Sequence, residues 1–89
     1  MTEDVSREVV ERTISIICEW WQQAGEGMEP DDYLDRATIY ERLQNEGVEV
    51  HEDALNHLLV ALAQDNNIML AFGAHWMMVT EVLNPELCQ

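Results

Sequence analysis

Apolar residues along the chain change their spacing, and each change marks an element. At 100° per residue, Val5, Val9, Val10, Ile14, Ile16, Ile17, Trp20, Trp21 and Ala24 fill about half of a helical circumference. Glu8, Glu11, Arg12, Ser15, Glu19 and Gln22 fill the other half, which predicts a helix over residues 5–24 ended by Gly25 and Gly27. Glu3–Arg7 and Glu8–Arg12 stand four apart in the favourable order, each pair contributing about 0.3 kcal/mol. The apolar arc is broader than one packing contact requires. Trp20 and Trp21 point about 100° apart on a helix, so one is expected in the core and the other at an external contact.

Residues 25–35 are rich in acids and turn formers and read as a loop. A second helix follows over 36–46, with Asp35 as N-cap, Ile39, Tyr40 and Leu43 facing inward, and Gly47 just past its end. Val48 and Val50 flank Glu49 in the alternation of a very short strand. A third helix over 52–65 places Leu55, Leu58, Leu59 and Leu62 on one face, and Asp65-Asn66-Asn67 breaks it. The period then drops to two. Ile68, Leu70 and Phe72 alternate, Gly73-Ala74 turns, and Trp76, Met78, Thr80 and Val82 alternate again, predicting a β-hairpin over 67–83. Met77, Val79 and Leu83 make the other face of its second strand apolar too. Asn84-Pro85 ends the element.

With 89 residues the chain has room for one α+β domain, over 1–89. At 47 % apolar it is too hydrophobic for a disordered acidic tail. Its start lacks the basic and apolar regions of a secretory signal, and its longest apolar run, residues 58–63, falls far short of the ~20 residues that span a bilayer. Cys18 and Cys88 stand far apart with no CxxC pattern, so two reduced thiols in a cytoplasmic protein are expected, with no membrane contact.

The order helix, helix, short strand, helix, hairpin is that of a winged helix. The stretch Gly47-Val48-x-Val50-x4-Leu55-x2-Leu58-Leu59-x2-Leu62-x5-Ile68 resembles the turn, third helix and beginning of the wing in winged helix-turn-helix regulators. The resemblance covers residues 36–82 and, with 5–24 as the first helix, most of the chain. It implies a third helix in the DNA major groove and a wing on the backbone. Carried over, the groove-facing residues are Asp53, Asn56, His57, Val60 and Gln64, and the wing tip is Phe72, Gly73, Ala74 and His75. Residues 54–89 hold no Arg or Lys, whereas phosphate binding depends on cations and guanine readout commonly on Arg. As written, this is a poor DNA reader.

Charge is the remaining signal. There is no Lys, and 18 acids against 4 Arg give a formal net charge of −14. Residues 26–53 carry ten acids and two arginines, whereas residues 54–89 carry three acids and no base. Three explanations stand open: a high-salt cytoplasm, a basic protein partner, or a face that serves solubility.

The sequence carries no recognisable catalytic or metal-binding pattern. His51 and His57 are poorly spaced for one metal, and HExxH, HxxxH, CxxC, GxSxG and a phosphate loop are absent. Asp31, Asp32 and Asp35 do not fit a calcium loop. The expectation is a non-enzyme with no cofactor and no metal. Trp20, Trp21, Met28, Met69, Phe72, Trp76, Met77 and Met78 exceed what one small core needs, and such residues are enriched at interface cores. The expected function is a small acidic regulatory or adaptor module that binds protein, with Trp20, Trp21, Asp31, Asp32 and Asp35 at the contact. A homodimer through helix 5–24, helped by the hairpin, is part of that expectation. The alternatives are a DNA-binding transcription regulator adapted to high salt, using Asn56, His57 and Gln64, and a DNA mimic that inhibits a nucleic-acid enzyme.

Overall fold

The computed structural model describes residues 6–24 and 33–89. Its elements are α1 (Arg7–Ala24), β1 (Leu34–Asp35), α2 (Arg36–Asn45), α3 (Glu52–Gln64), β2 (Ile68–Phe72), β3 (Met77–Val82) and a C-terminal 3₁₀ turn (Pro85–Cys88). Three helices and a three-stranded antiparallel sheet in the order β1-β3-β2 give the α+β, winged-helix-like layout with a C-terminal hairpin. Every main element contributes to a single core, in which Ile17, Ile39, Leu43, Leu55, Leu59, Ile68 and Val79 are fully buried.

Local chemistry explains the helix ends. Ser6 precedes α1, and its Oγ accepts from the Val9 N–H at 3.3 Å, so the helix begins with a hydroxyl cap. Asp35 caps α2 by accepting from Ala37 N–H at 2.9 Å. At its other end Gly47 takes φ +79°, Gly47 N–H donates to Gln44 O, and Val48 N–H donates to Leu43 O. This crossed pair of bonds closes a helix through a left-handed residue, and it buries Val48 against the core. α3 ends the same way with Asn66 at φ 62°, Asn66 N–H bonding Ala63 O and Asn67 N–H bonding Leu62 O. Asparagine tolerates the left-handed region better than most side chains.

Four expectations need correction. First, residues 48–50 form no strand; Val48 is spent in the cap of α2, and the third strand is Leu34–Asp35. That strand pairs Leu34 with Val79 and Asp35 with Met78, and at two residues it is too short to show a period. Second, β3 does not alternate strictly. Met69 pairs with Glu81 and Leu70 with Val79, so Thr80 is an extra residue that bulges the strand. Val79 and Val82 are therefore both buried, an outcome that a strand apolar on both faces left undetermined. Third, Arg12 reaches Glu46 at 3.5 Å across to the end of α2 rather than pairing with Glu8, while Arg7 pairs with Glu11. Glu3 lies outside the described residues.

The fourth concerns the cysteines. Cys18 and Cys88 are joined in a disulfide, with Cα atoms 5.5 Å apart across a sequence separation of 70. The strand ends before Asn84-Pro85, as expected, but the chain does not trail away from the core there. Asn84 Oδ1 accepts from Glu86 N–H, Asn84 Nδ2 donates to Asn67 Oδ1, and the chain winds into the 3₁₀ turn that carries Cys88 onto α1. Leu87 and Cys88 pack beside the core from this side. Sequence spacing carries no information about that closure, because the intervening fold sets the distance.

Candidate interaction surfaces

Where α1 puts its apolar residues decides what remains for binding. Val9, Ile16, Ile17 and Cys18 are buried, and Ile14, Trp20 and Trp21 are half-buried against the same core. The two indoles contact each other, with ring centroids 5.8 Å apart and planes inclined by 47°. The broad arc is thus accounted for largely inside the domain, by contacts with α2, β3 and the C-terminal turn. Thr13 is buried in the middle of this face, and its Oγ1 has no hydrogen-bond partner.

Large apolar side chains are instead exposed on the hairpin and just after it: Met69, Phe72, Trp76 and Leu83. Phe72, at the tip of β2, is 65 % exposed. A groove of about 440 Å³ runs between β2 and α3, lined by Ile68, Met69, Leu70 and Phe72 from the strand, Val60, Ala63 and Gln64 from the helix, and Asn66 and Leu83 beside them. Gly73 permits the hairpin geometry, since a Cβ there would collide with the Trp76 indole, and its N–H donates to Trp76 O at 3.0 Å.

A second, polar cleft of about 590 Å³ lies where α2 meets the start of α3, lined by Tyr40, Gln44, Glu49, Val50, His51 and Glu52. Tyr40 and Val50 are half-buried against the core and form its apolar wall, while Glu49 and Glu52 are exposed. Glu52 and Asp53 also occupy the first turn of α3, where a carboxylate interacts favourably with the helix dipole. This cleft holds the described end of the acidic stretch. Asp31 and Asp32 lie outside the described residues, and Asp35 is engaged as the cap of α2.

The face of α3 turned away from the core exposes Asp53, His57 and Gln64, with Asn56 and Val60 half-buried. Arg36 Nη1 donates to Asn56 Oδ1 at 2.7 Å, so that amide oxygen is already occupied and one arginine stands beside the helix. Arg42 bonds Glu19 at 3.0 Å and lies 3.6 Å from Glu46, which also receives Arg12. These exposed pairs contribute little to stability, but they surround the guanidiniums with carboxylates rather than leaving them for phosphate.

Among the described residues no group of three or more His, Cys, Asp or Glu is placed to hold a metal ion. No helix there is long and apolar enough to cross a membrane. The cleft is built from residues 40–52 and the groove from residues 60–72 with Leu83, so each forms where consecutive elements fold back on one another. The uncharged run Ile68-Met-Leu-Ala-Phe72 is the one sequence signal that could have located the second of them. Compared with known proteins, the chain matches no family model, no curated protein and no solved structure.

Proposed function

We propose that this chain is a small, non-catalytic regulatory or adaptor module that acts by binding protein, as a homodimer, with its acidic side turned to a basic partner. One observation carries the reading: exposed large apolar side chains gather at the sparsely charged hairpin end, while carboxylates line the cleft at the opposite end of α3. Aromatic and Met side chains suit a desolvated contact, and separated carboxylates suit steering and selection. The cleft offers an arginine or lysine of the partner a phenol ring, Tyr40, and two carboxylates, Glu49 and Glu52. Trp20 and Trp21, expected at the contact, are half-buried against the core and leave part of each indole for a partner. The Cys18–Cys88 bond removes reduced thiols as a support for a cytoplasmic setting, since such bonds persist in oxidising surroundings.

The experiment compares immobilised wild type with Glu49→Gln/Glu52→Gln as baits for basic proteins, at about 0.15 M NaCl and at about 1 M. The wild type should retain basic proteins at the lower salt. The neutralised variant, or the higher salt, should release them. The runner-up, a DNA regulator suited to high salt, is supported by the layout and by Arg36 beside Asn56. It predicts duplex binding that Asn56→Ala/Gln64→Ala abolishes, and that result would overturn the adaptor reading.

A further inference from the structure

β2 is an edge strand. Among the described residues, the sheet order β1-β3-β2 leaves one side of Ile68–Phe72 without a neighbouring strand. The direction of its backbone groups follows from its bonds to β3. Asn67 O accepts from Leu83 N–H, Met69 O accepts from the Thr80 hydroxyl, and Gly73 N–H donates to Trp76 O, so the odd-numbered residues face β3. Peptide groups alternate along a strand, so the N–H and C=O of Ile68, Leu70 and Phe72 point to the free edge. Their side chains, together with Met69, line the groove beside α3, whose Val60 and Ala63 extend its apolar wall. An exposed apolar edge without charge is a template for another strand.

We infer that this edge pairs with β2 of a second copy, antiparallel about a two-fold axis through Leu70, so that the two sheets become one. The inference rests on the protein-binding reading above and names the homodimer contact within it. Three observations select a second copy over another occupant. The strand is self-complementary: with Leu70 opposite Leu70 of the second copy, Ile68 meets Phe72 and Met69 meets Ala71, a large residue against a small one. The pairing satisfies outward N–H and C=O groups on both copies at once, as a two-fold contact requires. Charge supplies the third. Two molecules at −14 repel, and β2 together with the groove residues is the uncharged surface through which they can approach. Phe72, the most exposed of the large apolar side chains, then lies against Ile68 and the groove of its partner.

The test is sedimentation of the full, disulfide-bonded chain over a wide range of protein concentration, with residue-resolved amide exchange at both extremes. The expected result is a monomer–dimer equilibrium in which the amides of Ile68, Leu70 and Phe72 gain protection as the dimer forms. Met69 and Ala71, which face β3, should be equally protected throughout. Phe72→Glu should weaken association by about tenfold or more, because a carboxylate would have to be desolvated at the seam, while the thermal melt of the monomer stays the same. A chain monomeric at every concentration overturns the proposal. So does a dimer whose new protection falls on α1, or one indifferent to Phe72→Glu. A monomer that still retains basic proteins through Glu49 and Glu52 would overturn the pairing and leave the adaptor reading standing; a dimer with the expected amide pattern that retains none would do the reverse.

Discussion

The two apolar ends of this molecule are treated in opposite ways. α1 has the broader apolar face in sequence, yet its large residues are buried or half-buried, and a disulfide pins the C-terminal turn over part of it. β2 is short and has the narrower pattern, yet it leaves Met69 and Phe72 exposed and one edge unpaired. Width of an apolar arc therefore says how much a helix must cover, and not whether the cover comes from its own chain. Here the C-terminal turn, closed by residues at the far end of the sequence, covers part of α1, and among the described residues no equivalent segment covers the free edge of β2.

Breaking the clamped end should have the largest effect. A bond closing a loop of this length restricts the unfolded chain by about 4 kcal/mol, so Cys88→Ser should lower stability by about that much. Chemical denaturation with and without reductant checks it; equal midpoints would mean that packing alone holds the turn on α1. Next comes truncation in the core against truncation at the hairpin. Leu59→Ala, at a fully buried position, should cost about 2–5 kcal/mol, whereas Phe72→Ala should leave the dilute monomer within about 0.5 kcal/mol of wild type. A large loss for Phe72→Ala would show that the hairpin end is core after all.

Smaller effects sharpen the same contrast. Asp35→Ala removes the cap of α2 beside the β1 pairing and should cost about 1 kcal/mol, or roughly 4–8 °C in the thermal midpoint. Thr13→Val replaces a buried hydroxyl that has no partner with a methyl of similar size. It should be neutral or stabilising by up to about 1 kcal/mol, read from the denaturation midpoint. A clear loss would mean that the hydroxyl is satisfied in solution by a bound water.

Local order was legible where neighbours in sequence decide it. Asp35 before a helical period, Gly47 after it, and Asp65-Asn66-Asn67 after the leucines of α3 each mark a boundary that the backbone observes, because caps depend on residues within one turn. The leucine face of α3 and the existence of the hairpin were legible for the same reason. Of the proposed contact, Phe72 and Trp76 stood out as apolar residues beyond what the core needs, and they are exposed. Asn56, by contrast, looked free to read a base, and its Oδ1 is held by Arg36 from twenty residues away.

By itself, the sequence determined the class of the fold, the helix limits, the leucine core and the uneven charge, all properties that depend on composition or on contacts within a turn or two. Tertiary structure alone decided that Leu34–Asp35 is the third strand, that Thr80 bulges β3, that Cys18 meets Cys88, and that β2 rather than α1 is left with an open apolar edge. The physical reason is common to all four. Each depends on which distant segments share the core, and the free energy of that choice belongs to the whole packed arrangement rather than to any stretch of chain.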